Sequence, residues 1–165
     1  MSIETIVSTL NKLEKMHKSL LELAYKKTEL VKIGNMEELD QMLKSEQAHV
    51  AAIEQLEQQR QVMVTDYLRT KGIVLTDNPT VADVIEAAEK QEKEQIEIAR
   101  NRLILVVEDL RKQNDLNQKL VFQSLQFVNI TLDMLRPRPE HMNYSGGDVR
   151  GTTTVRKKTF FDSQA

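Results

Sequence analysis

Hydrophobic residues recur at alternating steps of three and four along most of the chain. This spacing places them on one face of an α-helix and is typical of helices that pack side by side in coiled coils. The pattern predicts three long helices, at residues 3–33, 36–71 and 91–136, and a short helix at residues 80–88. The fold class is therefore all-α.

The breaks between these stretches indicate how the helices are arranged. Gly34 and Asn35 leave room only for a tight turn, so the first two helices form an antiparallel hairpin. Pro137 ends the last helix, because proline cannot continue the pattern of backbone hydrogen bonds. We expect residues 1–136 to form one elongated antiparallel helical bundle, and residues 137–165, which show no hydrophobic period, to form a flexible, disordered tail.

The last helix changes character after Leu116. On a helix with about 100° per residue, its apolar side chains fall on two stripes that lie roughly 140° apart. One stripe can pack on the bundle, whereas the second needs a partner of its own, which could be the short helix, a second copy of the chain or another protein. The last helix is also predicted to be longer than the others, so its end can extend past them. The first stripe consists of Val121, Leu125, Val128, Leu132 and Leu135. The second stripe, which is the predicted partner-binding surface, consists of Leu116, Leu120, Phe127, Ile130 and Met134.

Two amides, Asn114 and Asn117, interrupt the apolar seam at the point where the two stripes begin. A buried amide costs stability unless it is hydrogen-bonded. One interpretation is that the pair controls register, as a buried Asn does in coiled coils. The other is that it marks where the bundle ends and the binding segment begins. The two interpretations are compatible.

Composition and charge exclude several classes of function. The chain has 165 residues, a net charge of −2 and no cysteine. We therefore expect no nucleic-acid binding, no disulfide and no zinc-thiolate site. No apolar run approaches the roughly 20 residues of a membrane span, and the first residues lack the pattern of a secretory signal. A protein without membrane insertion, located in the cytoplasm, is expected.

A repeated Glu-x-x-His is the strongest hint of metal chemistry. It occurs as Glu14-x-x-His17 and again as Glu46-x-x-His49, on the two helices of the hairpin. In di-iron bundles this pair works with one inward Glu from each of two other helices. The acidic residues of the last helix point away from its predicted inner stripe of Leu103, Val107 and Leu110, so that set is incomplete. Surface or seam-edge histidines are the favoured interpretation, with no metal, cofactor or catalytic residue expected.

Several short motifs occur in order along almost the whole chain. They are Leu23-Ala24-x-x-Lys27, Leu56-Glu57-x-x-Arg60, Asn114-x-x-Asn117, Gln123-Ser124-Leu125-x-Phe127, and a tail with Tyr144, Gly146 and Phe161-Asp162. In these motifs and their order the chain resembles the FlgN family of flagellar export chaperones.

The resemblance implies a cytoplasmic, non-enzymatic chaperone of the flagellar type III export system. Such a chaperone binds hook–filament junction proteins (hook-associated proteins) through its C-terminal part, prevents their premature assembly and delivers them to the export gate and ATPase complex. The family's tail tyrosine is tied to docking at the export gate. Here that tyrosine is Tyr144, followed by Ser145 where the family has Gly. The alternative to this function is a generic coiled-coil scaffold or homodimer.

Overall fold

The structure is a computed structural model, and it describes residues 2–135. That part of the chain contains four α-helices and no strand, which confirms the all-α prediction. None of the described helices is both long and apolar enough to cross a membrane. The helices are α1 (Ile3–Ile33), α2 (Met36–Thr70), α3 (Val81–Ala87) and α4 (Lys90–Leu135).

The helix ends follow from local chemistry. Gly34 takes the left-handed conformation, with φ of 71°, and its N–H donates to the carbonyl oxygen of Val31. Only glycine adopts this conformation without steric cost. The Asn35 side chain then caps α2 by accepting a hydrogen bond of 3.2 Å from the N–H of Glu38. The predicted hairpin turn is therefore confirmed.

The turn before α3 is closed by a reciprocal capping box. The Thr80 hydroxyl accepts from the N–H of Asp83, and the Asp83 carboxylate accepts from the N–H of Thr80 at 2.7 Å. Ser2, in contrast, precedes α1 without making a side-chain cap. Because α3 has only seven residues, this capping box satisfies a large share of the helix's free N–H groups.

The central helix of the bundle is α1, which packs against both α2 and α4. Residues of α1 and α2 pair in opposite order along the chain, since Ser19 contacts His49 and Lys27 contacts Glu46. Residues of α1 and α4 pair in the same order, from Asn11 with Arg102 to Thr28 with Asn117. Thus α2 is antiparallel to α1, whereas α4 is parallel to it. No Cα atom of α2 lies within 8 Å of one in α4.

The main core lies at the end of the bundle where α3 sits. There α3 fills the space between α2 and α4, and its apolar side chains join those of all three long helices. Tyr67 is buried in this region, and burial raises the pKa of its hydroxyl, an effect that the nearby Lys71 ammonium opposes. The core consists of Ile3, Ile6, Leu10, Leu13, Val64, Tyr67, Leu68, Val81, Val84, Ile85, Ile96 and Ala99.

The inner face of α4 differs from the predicted one. Val107 was expected to point inward, but it is 41% exposed, and Val106 is buried in its place. Two series of buried and half-buried residues recur at steps of seven, and one of them consists of Ile96, Leu103, Leu110 and Asn117. A seven-residue repeat corresponds to 3.5 residues per turn, so α4 winds around α1, and a projection at 3.6 residues per turn drifts off the true seam.

Candidate functional site

The C-terminal part of α4 extends past the rest of the bundle. Thr28 of α1 is level with Asn117 of α4, since their side chains are 2.5 Å apart, and α1 ends at Ile33. With a rise of about 1.5 Å per residue, α1 therefore ends level with about residue 122, and α4 continues for roughly 13 residues or 20 Å. The turn to α2 lies at the same level. We call residues 122–135 the overhang.

Both apolar stripes of α4 are largely uncovered within the described part of the chain. In the second stripe Leu120 is half-buried, whereas Leu116, Phe127, Ile130 and Met134 are exposed, Phe127 to 70%. The first stripe was expected to pack on the bundle, and this expectation is wrong. All its residues are exposed, Leu125 to 58%, and from Leu125 on α1 has already ended; they are Val121, Leu125, Val128, Leu132 and Leu135.

The overhang is also poor in charge. Between Lys119 and Asp133 the sequence has no charged residue. The hydroxyls of Ser124 and Thr131 donate to carbonyl oxygens one turn earlier in the same helix, both at 2.9 Å. These polar groups therefore do not need an outside partner. A contiguous apolar surface of this kind on a protein usually marks an interaction site.

A buried hydrogen-bond network holds α4 to α1 just below the overhang. Asn117 is 3% exposed, and its Nδ2 donates to the carbonyl oxygen of Ala24 at 2.9 Å. The Thr28 hydroxyl donates to Asn117 Oδ1, and Gln113 Nε2 donates to the Thr28 oxygen at 2.6 Å. Because these bonds form in only one alignment of the two helices, they support the register interpretation of Asn117. The network also lies where the overhang begins, as the second interpretation requires.

A groove runs beside this network on the side of α4 that faces α2. Its volume is about 420 Å³. Lys27 of α1 and Glu46 of α2 line it and form an ion pair of 3.2 Å. Along α4 the groove is lined by Asn114, Asn117, Gln118, Val121, Phe122 and Leu125.

The four residues of the two Glu-x-x-His motifs make other contacts. Glu14 is buried and lies 2.6 Å from Lys18 and 3.6 Å from Arg102. Nδ1 of His49 bonds to the Ser45 carbonyl at 2.8 Å, so in the neutral ring Nε2 accepts from Ser19. His17 bonds to its own helix through the Leu13 carbonyl, and Glu46 pairs with Lys27. Within residues 2–135, no group of three or more His, Asp and Glu side chains is placed to hold a metal ion.

Sequence reasoning did not find the groove, nor the part that Phe122 plays in it. Phe122 belongs to neither predicted stripe, yet it is 61% exposed and lines the groove. The signal available in the sequence was an aromatic residue five positions after Asn117 that fits neither stripe. Tyr144, the predicted docking residue, and the predicted tail at 137–165 lie outside the described residues.

Comparison with known proteins identifies the family of this chain. The family model described as "FlgN protein" matches residues 1–148. The chain is also 34% identical, over 167 residues, to the uncharacterized protein YvyG of Bacillus subtilis (strain 168), and the alignment covers 100% of both chains. No solved structure shows a significant match. A family match over most of the chain and a relative aligned along its whole length confirm the resemblance noted from the motifs, and the chain belongs to the FlgN family of flagellar export chaperones.

Proposed function

We propose that this FlgN-family chaperone binds hook–filament junction proteins in the cytoplasm, prevents their premature assembly and delivers them to the flagellar export apparatus without catalysing a reaction. The observation that carries the proposal is the exposed second stripe, whose last three residues lie on the overhang, in a segment almost free of charge. The client surface is Leu116, Leu120, Phe127, Ile130 and Met134. An amphipathic helix of the client would place its own apolar face on these residues.

The expected affinity follows from the apolar area. Each fully buried Leu or Phe side chain contributes roughly 1.5–3 kcal/mol by transfer from water. Four or five such anchors exceed the cost of association and of ordering the client by enough for micromolar to nanomolar binding. Since no covalent bond or metal ligand is involved, the client can be released at the export apparatus.

The test is a triple substitution on the second stripe, Leu120→Asp, Phe127→Asp and Ile130→Asp. Three charges placed against an apolar client face should weaken binding of a junction protein at least about 100-fold, measured by isothermal titration calorimetry. The matched control carries Val62→Asp, Ile98→Asp and Leu105→Asp, which replace exposed apolar residues elsewhere on the helices. The control should bind like the wild type. Normal binding by the stripe variant, with helicity unchanged by circular dichroism, would exclude this stripe as the client site.

A homodimer or coiled-coil scaffold is the second candidate, because the same uncovered stripe could pair with a second copy. Analytical ultracentrifugation of the free protein separates the two functions. A tight dimer that dissociates when the second stripe is substituted would favour the scaffold. A monomer that binds a junction protein favours the chaperone.

Delivery requires a contact with the export gate or its ATPase complex, and we assign that contact to Tyr144. Its support is the resemblance to the family's tail tyrosine and the family match, which extends to residue 148. Tyr144→Ala should leave client binding intact and reduce secretion of the client. Loss of client binding in this variant would place Tyr144 at the client site instead.

A further inference from the structure

The two ends of α2 are buried to very different extents. At its C-terminal end, Val64, Tyr67 and Leu68 lie in the main core. At its N-terminal end, in residues 36–52, Met42 is the one buried side chain. A helix in a protein is stabilised mainly by the packing of its apolar face and much less by its own hydrogen bonds. Residues 36–52 therefore lack most of the packing that keeps a helix folded.

Polar contacts take the place of apolar ones between this segment and α1. Nε2 of His49 and the hydroxyl oxygen of Ser19 are 2.8 Å apart, and Lys27 forms its ion pair with Glu46. All four side chains are half-buried. When polar contacts of this kind open, water replaces the lost hydrogen bonds, so separating the two helices here costs little free energy.

Open space lies on both sides of the segment. The groove beside Asn117 lies between the segment and α4, and a second groove, of about 710 Å³, lies between the segment and α1. The lining of the second groove includes Leu23, Leu30 and Met42. Because no Cα atom of α2 lies within 8 Å of one in α4, α1 is the long helix that supports residues 36–52.

At the same level, α1 and α4 are joined by buried contacts. Leu20 and Ala24 of α1 form a buried cluster with Leu110 of α4, and the network of Asn117 lies two turns further along. Thus α1 keeps one partner if the other leaves. The short turn after α1 ties residue 36 to the end of α1, so the segment can separate only by losing its helical structure and not by swinging out as a rigid rod.

We propose that residues 36–52 open from α1 by local unfolding in the folded protein, while α1, α3, α4 and the C-terminal end of α2 stay packed. Opening joins the two grooves and exposes Leu23 and Leu30 of α1 to solvent. Leu30 lies close to the level at which the overhang begins, so opening extends the apolar surface of α4 onto α1. The segment is a cover that controls how much apolar surface the protein presents, whichever molecule then binds there.

Native-state hydrogen exchange of the full chain tests the proposal. Lys27 and Glu46 are in contact, so residues 19–27 of α1 are matched in level to the segment. Amides at residues 40–52 should exchange at least about 100-fold faster than those at residues 19–27 and at residues 64–70, because they exchange through the local opening. Equal protection of the three stretches would mean that the bundle opens only as a whole, and would overturn the proposal.

Replacing the ion pair tests the cause of the opening. Lys27→Leu with Glu46→Leu makes this contact apolar and should slow exchange at residues 40–52 at least about tenfold, because well-packed apolar residues are often more stable than an ion pair removed from water. The matched control is Asp40→Leu with Lys44→Leu, which replaces an exposed ion pair of the same segment and should leave the exchange unchanged. If the first variant exchanges as fast as the wild type, or if the control slows exchange equally, the polar contacts are not the cause and the proposal fails.

A thiol probe measures the same opening at a side chain. The chain has no cysteine, and Met42 and Val106 are each 9% exposed. Met42→Cys therefore places a thiol in the segment, and Val106→Cys places an equally buried thiol on α4. Alkylation should be at least about tenfold faster at position 42 than at position 106, because only the first thiol is exposed by the local opening. Equal rates at the two positions would contradict the proposal.

Discussion

The two halves of α4 show how the number of neighbours shapes one helix. In its first half, α4 has α1 on one side and α3 on the next, and its buried residues form a single seam. In its second half, α1 ends and no described segment replaces α3, yet the sequence becomes apolar on more sides. A helix with fewer neighbours but more apolar faces is typical of a protein whose apolar surface is buried when a partner binds.

The largest expected contrast is in stability. Leu10→Ala removes a side chain that is almost fully buried in the core at the α3 end, and should lower the free energy of unfolding by about 2–5 kcal/mol. Leu125→Ala removes an exposed side chain of the same type, and should change it by less than about 0.5 kcal/mol. Urea denaturation measures both. Equal losses would mean that the overhang is covered in the free protein.

An intermediate effect is expected where the two halves meet. Asn117→Ala removes the bonds to Ala24 and Thr28 and should destabilise the protein by about 1–3 kcal/mol, because buried polar groups lose their partners. Asn114→Ala is the control and should stay within about 0.5 kcal/mol. Hydrogen exchange should show faster opening of α4 near residue 117 in the first variant only. If the Asn117→Ala protein is as stable as the wild type and its amide hydrogen exchange is unchanged, the network does not align α1 and α4.

The smallest effect concerns the segment that closes the α3 end. Thr80→Ala breaks the capping box of α3 and should cost about 1 kcal/mol. Ser2→Ala is the matched control, because Ser2 precedes α1 without a side-chain cap, and it should leave the urea midpoint unchanged. If Thr80→Ala is also silent, α3 is held by its apolar contacts alone.

The elements of the fold were predictable because they depend on local signals. The three-and-four spacing, Gly34, Asn35 and Thr80 act within one or two turns of the chain. Apart from the C-terminal end of α4, which the described residues do not test, each helix end lies within one residue of its predicted position. The overhang could be predicted from the lengths of the predicted helices alone. The division into a helical domain and a tail stays a prediction, because residues 136–165 lie outside the described part.

The packing of the elements was less predictable, for physical reasons. The choice between Val106 and Val107 depends on how far α4 coils around α1, which no local signal reports. Glu14 is buried although it is charged, because one cation from α1 and one from α4 lie beside it, and the sequence pattern does not report the one from α4. The groove required knowing that α2 and α4 stay apart, a property of three helices together. The residues assigned to client binding and docking stay predictions.

The network around Asn117 also determines the direction in which the two apolar stripes of this chaperone face. It fixes the rotation of α4 about its own axis at one point, and every later residue is turned by about 100° from the one before. Inserting one residue after Asn117 would swing both stripes through more than a quarter turn relative to the groove, whereas inserting seven would return them almost to their starting direction and lengthen the overhang by about 10 Å. Chaperones with the same apolar residues can thus present different faces to their clients through spacing alone.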